Sequence, residues 1–187
     1  MVPVFHHPFT AIISAPSCSG KSTLAFNIIR QSSELVANTQ GRGFDSVFVL
    51  YRSWQPLYDQ MQKELLIPVY FFEKSFPETL SDMLTSTQFP VILIDDGLCP
   101  ENQREIQDFF TRQSHHLGVS VILLTQSIFD ARDPTLRICH RNAKILILFG
   151  CPRDQGSLRT LVYQMHPDKR KAQLLLSTME ENPTPTS

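Results

Sequence analysis

"FTAIISAPSCSGKSTLA", residues 9–25, decides how the rest of the chain is read. The apolar run Phe9–Ser14 reads as a strand, the small residues after it as a loop, and a helix opens near Gly20, which is the order of a phosphate-binding loop. The pattern G-x-x-x-x-G-K-S/T is met with one departure, Ala15 in place of the first glycine. In such a loop successive backbone N–H groups cradle a β-phosphate, and the helix start aims its partial positive charge at the same anion. The expected nucleotide contacts are Ala15, Pro16, Ser17, Cys18, Ser19, Gly20, Lys21, Ser22 and Thr23. Gly20 would leave room for backbone close to phosphate, Lys21 would reach the β and γ oxygens, Ser22 would offer its hydroxyl to Mg²⁺, and Thr23 would touch the α-phosphate. The bland alternative is a serine-rich turn that happens to precede a helix.

Composition bounds the setting. At 187 residues and 42% hydrophobic content the chain suits one globular domain, with room for a five-stranded sheet covered on both faces. A single P-loop domain is expected over residues 1–180, with "ENPTPTS" (181–187) a disordered tail. The net charge of −1 excludes a uniformly basic nucleic-acid coat, so contact with a polyanion would need local clusters or several subunits lining a pore. Four cysteines without C-x-x-C spacing, no signal peptide and no membrane-length apolar run point to a reducing interior. Cys18 reads as a small space-filler in the loop.

Strands and helices alternate as a parallel α/β sheet requires. Strands are expected at Phe9–Ser14, Ser46–Tyr51, Val69–Phe72, Val91–Asp95, Val119–Thr125 and Ala143–Phe149. Helices are expected near Lys21–Gln31, Gln55–Leu65, Pro77–Thr85, Asn102–His115 and Gln155–Gln164. The unbroken apolar runs Val91–Asp95 and Lys144–Phe149 predict central strands buried on both faces.

Two further stretches carry chemistry. "PVILIDDGL" (90–98) ends a buried strand in two carboxylates at the sheet edge where ligands bind in open α/β folds. Asp95 would hold Mg²⁺ opposite Ser22, and Asp96 would orient or deprotonate the attacking water. An adjacent pair of acids also begins ordinary turns, but roughly 75 residues after a phosphate loop it gains weight. "HHLGVSVILLTQS" (115–127) ends a strand in Gln126, whose amide would sit beside the γ-phosphate if this strand neighbours the one carrying Asp95. The competing reading is a strand-end glutamine that caps a turn. His115 and His116 have no ligand cluster around them in sequence and read as a helix C-terminal pair.

The phosphate loop after "HPF", then "LIDD", then the strand that stops at Gln126, then "RNAKILILFGCPRD" with Arg141 and Asn142, resembles the poxvirus-type genome-packaging ATPases of the FtsK/HerA superfamily. Similar proteins occur in large DNA viruses and in virus-like self-synthesising transposons. The resemblance spans His7 to about Met165, and "YRSWQPLYDQM" also resembles a segment after the second strand in some members. It implies a RecA-like core using ATP and Mg²⁺, assembled as a homo-oligomeric ring of five or six subunits. It further implies a motor that drives double-stranded DNA into a capsid at its portal vertex, inside a host cell in nucleus or cytoplasm or carried with the virion. Asp96 stands where cellular relatives carry glutamate, which favours the viral branch.

Phosphoryl transfer also calls for a further cation at the γ-phosphate, and the phosphate loop, the acid pair and the Gln126 strand hold no arginine. Arg112 and Arg141 are the candidates to project into a neighbouring subunit's site, with Arg132, Arg137 and Arg153 in reserve. "HPDKRKAQ" places Lys169, Arg170 and Lys171 together, either as a DNA contact repeated around a ring or as a solvated helix start. Two other functions stay open: a small P-loop kinase for nucleotides or metabolites, and a non-hydrolysing nucleotide switch.

Overall fold

The computed structural model describes residues 4–96, 99–127, 133–149, 155–166 and 168–181. Six strands form one parallel sheet in the order β5-β4-β6-β7-β2-β8: β2 (Thr10–Ser14), β4 (Ser46–Tyr51), β5 (Val69–Glu73), β6 (Pro90–Asp95), β7 (Ser120–Thr125) and β8 (Ile145–Leu148). Two-residue strands β1 (Phe5–His6) and β3 (Val36–Ala37) pair separately, parallel to each other. The helices are α1 (Lys21–Arg30), α2 (Ser32–Leu35), α3 (Pro56–Glu64), α4 (Leu80–Thr85), α5 (Gln103–Asp108), α6 (Ser114–His116), α7 (Pro134–Asn142), α8 (Gln155–Met165) and α9 (Lys169–Glu181), and a π-helical stretch Phe109–Gln113 joins α5 to α6.

The three-layer architecture follows from the two-residue period of the strands. Ile13, Val47, Val49, Val91, Leu93, Ile122 and Leu124 point into one core with Phe26, Ile29, Tyr58 and Met61 from α1 and α3. Their neighbours Ile12, Phe48, Leu50, Ile92, Ile94, Val121 and Leu123 point into a second core with Leu80, Leu84, Ile106, Phe109 and Leu136. Each such side chain, fully buried, contributes about 1.5–3 kcal/mol, so both faces must be covered for these apolar runs to be stable as strands. A third, small cluster of Val162, Ala172 and Leu176 joins α8 to α9.

Several expectations are corrected. The length suggests room for five strands, but all six strands expected from the apolar runs form and join one sheet. The run Lys144–Phe149 is not central: β8 pairs only with β2, and all four of its residues are half-buried, because an apolar run records partial cover as readily as full cover. The single helix expected over Asn102–His115 is divided by the π turn, which lodges the consecutive Phe109 and Phe110 in the core. Helix α7 fell where no helix was expected, although its start is written locally: Asp133 Oδ1 accepts from the N–H groups of Thr135 and Leu136 at 2.8 and 3.2 Å, and Pro134 follows it. Lys169 opens helix α9, and the expected tail lies outside the described residues apart from Glu181, which ends that helix. Among the described residues no helix is long and apolar enough to cross a membrane.

Candidate active site

Parallel pairing brings the strand ends into one row. Ser14 lies opposite Thr125 and Leu148, Asp95 opposite Leu124 and Tyr51. The loops after β2, β6 and β7 therefore emerge together at the carboxyl edge, where ligands of open α/β sheets bind. β7 lies between β2 and β6, so the condition on Gln126 is met: it leaves the strand next to both the phosphate loop and Asp95, with its side chain exposed.

Ala15 explains why its departure is tolerated. It is 2% exposed, its N–H donates to the Thr125 carbonyl at 3.0 Å, and it continues the β2–β7 ladder, so nothing there demands a glycine. The turn itself is made further on. Ser19 Oγ donates to the Pro16 carbonyl at 2.6 Å, while Cys18 (φ 59°) and Gly20 (φ 85°) take left-handed backbone. At Gly20 the φ angle is the reason for glycine, since no protein atom lies within 4 Å of where a Cβ would stand. Cys18 is exposed and shapes the turn, so it does not fill space as expected. Helix α1 then starts at Lys21 with no side-chain cap and no acid in its first turn, leaving its end N–H groups available to an anion.

Asp95 is 2% exposed and is held from three sides. Tyr58 Oη donates to its Oδ2 at 3.1 Å with Gln55 Nε2 at 3.4 Å, and Ser22 and Lys21 of α1 favour its charged form. Burial is the largest influence and raises its pKa; the Ser22 and Tyr58 hydrogen bonds and Lys21 oppose that, and Asp96 adds to it. The Tyr58 phenol is pushed far up, by burial first and then by Asp95, so it keeps the proton that it donates. A buried acid beside Ser22 and Lys21 of the phosphate loop fits a divalent cation, with Ser22 and Asp95 as the residues that would hold it. Asp96, by contrast, is exposed and left-handed at φ 56°, turned out of the strand towards solvent.

Neither favoured arginine lies with this loop in its own chain. Arg141 ends α7, where the Asn142 carbonyl accepts from Thr10 Oγ1 at 3.1 Å; Thr10 begins β2, about 13 Å of strand from Ser14. Arg112 is exposed, pairs with Asp108 at 3.5 Å, and sits on the segment leading to the start of β7. Arg137 is exposed on α7, and Arg132 and Arg153 lie outside the described residues. Lys169, Arg170 and Lys171 are all exposed in the first turn of α9. His115 and His116 close α6 as expected, and no metal-binding group of His, Cys, Asp and Glu exists among the described residues.

Three residues at this edge were missed by sequence reasoning. All three lie in "YRSWQPLYDQM", but the sequence signal of Tyr58 and Gln55 there is only a polar residue and a tyrosine around the start of a helix. Arg52 directly follows β4 and is exposed. It lines a cleft of about 380 Å³ with Lys74, Ser75, Cys99, Pro100 and Glu101, beyond Asp95 from the phosphate loop.

No family model matches the chain, and no curated protein matches it by sequence. Its fold is similar to that of a solved structure, the cytoplasmic domain of EssC, with a TM-score of 0.53 and 15% identity over 81% of this chain. The chain spans about a third (33%) of that structure's length. At that identity the likeness concerns the fold: a mostly parallel α/β sheet with helices around it.

Proposed function

We propose that this chain is a P-loop ATPase whose hydrolysis drives movement of double-stranded DNA, in the manner of the viral genome-packaging motors its sequence resembles. The observation that carries the hydrolase reading is the buried Asp95 carboxylate, on which Ser22 and Lys21 of the phosphate loop act, with the Gln126 strand between. A serine-rich turn without nucleotide chemistry has no reason to hold a buried acid against a lysine.

The backbone N–H groups of the loop and of α1 bind the β-phosphate, and Lys21 places a mobile positive charge at the β and γ oxygens. Ser22 and Asp95 would hold a divalent cation, which would supply further charge neutralisation there. Asp96, exposed beside it, orients the attacking water and accepts its proton as the γ-phosphoryl group leaves. Gln126 hydrogen-bonds the γ-phosphate, and its loss releases the segment after β7. The remaining cation comes from a neighbouring subunit of a ring, with Arg112 and Arg141 as donors; their distance from the loop of their own chain favours action between chains. The sequence resemblance supports DNA and a capsid as partners, and Lys169, Arg170 and Lys171 are the basic group such a ring would repeat.

The test measures phosphate release from ATP with and without duplex DNA, alongside transfer to a panel of nucleoside monophosphates. DNA-stimulated release without transfer supports the motor. Transfer to a monophosphate would instead identify a kinase, and neither activity would leave a nucleotide switch.

A further inference from the structure

The phosphate loop and the acid pair are read from motifs, but the second grip on Asp95 is not. Tyr58 is fully buried, and its ring is enclosed by Tyr51 at 5.4 Å, Trp54 at 5.4 Å and Phe71 at 5.6 Å. Pro56 opens α3 with its φ already set for the helix, so the backbone that carries the phenol is fixed as well. The hydroxyl is therefore presented to Asp95 Oδ2 from a rigid wall, with Gln55 beside it at the longer distance of 3.4 Å.

We propose that Tyr58, assisted by Gln55, is a positioning residue that fixes the Asp95 carboxylate for divalent-cation binding. The proposal rests on the reading that Asp95 and Ser22 hold the cation. Two donors from the α3 side on Oδ2 restrict the carboxylate's rotation and leave Oδ1 without a donor from α3. A carboxylate beside a metal is ordinarily held this way, and loss of such a partner typically costs about 10–100-fold in metal affinity or activity. Tyr58 is a positioning residue rather than a ligand, because its hydroxyl proton is directed at Oδ2.

The test uses Tyr58→Phe, which keeps the enclosed ring and removes only the hydroxyl. Mn²⁺ binding in the presence of ATP is read from the free-Mn²⁺ electron paramagnetic resonance signal, and the Mg²⁺ requirement of hydrolysis is titrated in parallel. Tyr58→Phe should weaken Mn²⁺ binding and raise the Mg²⁺ requirement about 10-fold, while turnover at saturating Mg²⁺ stays within about twofold. Gln55→Ala should shift both in the same direction by less, and it carries the same test should Tyr58→Phe not fold. The emission of Trp54, the chain's one tryptophan, monitors whether the aromatic wall is intact. Unchanged Mn²⁺ affinity in a folded Tyr58→Phe, with Asp95→Asn losing it, would overturn the positioning role and leave the tyrosine a packing residue. Unchanged affinity in Asp95→Asn as well would overturn the cation site together with the proposal.

Discussion

Asp95 at the carboxyl edge and the Lys169–Lys171 group at the start of α9 are both concentrations of charge, held in opposite ways. Asp95 is 2% exposed, its burial works against its charge, and side chains from α1 and α3 converge on it. The three cations stand in solvent on a helix whose packing is a cluster of three buried residues. A buried charge costs several kcal/mol before its partners offset it, whereas a solvated one costs almost nothing. Charge maintained against a cost points to chemistry at that place; charge without cost permits a long-range role but does not argue for one.

The largest expected effect separates the two regions outright. Lys21→Ala should lower phosphate release about 100-fold or more and leave the fold intact, because it removes charge from a loop and opens no cavity. Replacing Lys169, Arg170 and Lys171 together by Ala should leave DNA-free release unchanged and flatten the salt dependence of duplex binding. A triple variant that loses basal release would break the contrast, and one with unchanged duplex affinity and salt slope would move DNA to the loops after Asp96 and Gln126.

The two carboxylates sharpen it within the site. Asp95→Asn should lose cation binding, while Asp96→Asn should keep ATP and cation and lose turnover, as measured by nucleotide binding and single-turnover release. Equal loss of nucleotide binding in both would contradict their separate roles.

Arginine sharing comes next. Arg112→Ala or Arg141→Ala chains should lose activity alone and regain part of it when mixed with Lys21→Ala chains, since some interfaces then combine a sound loop with a sound arginine. If Arg52→Ala alone abolishes release and no mixture restores activity, the cation is supplied within one chain.

Packing should differ in the same sense. Leu93→Ala, fully buried in β6, should cost about 3 kcal/mol of global stability in denaturant unfolding. Leu176→Ala should cost nearer 1 kcal/mol and raise hydrogen exchange in α8 and α9 alone. Global destabilisation by Leu176→Ala would show that the helix pair is part of the main core.

The smallest effect is on pH. The folded pKa of Asp95 is raised, so its stabilising contribution is present below the ordinary aspartate value and is lost as pH rises through the folded one. Above that folded value Asp95 therefore lowers the stability of the ligand-free protein. Asp95→Asn should melt a few degrees higher at about pH 7, with the difference closing as pH falls towards about 4. A variant that melts lower across this range would mean that the hydrogen bonds of Ser22 and Tyr58 outweigh the burial.

What could be read directly from residues 9–25 and 90–98 is what local chemistry settles. A strand, a small-residue turn and an uncapped helix start are contiguous in sequence, and β4 was placed to the residue at Ser46–Tyr51 because its apolar run has polar limits. The Asp133–Pro134 start of α7 was equally local and was passed over. Other features depend on contacts between distant residues. That β7 separates β2 from β6, which puts Gln126 beside Asp95, is a matter of strand order, and no spacing encodes it. That Lys144–Phe149 forms an edge strand depends on which neighbours it lacks. The grip of Tyr58 on Asp95 joins positions 37 residues apart through parallel pairing of β4 and β6 and the docking of α3. Hydrogen-bond partners of a buried carboxylate are selected by the tertiary packing that excludes water from it, so only the folded chain could reveal them.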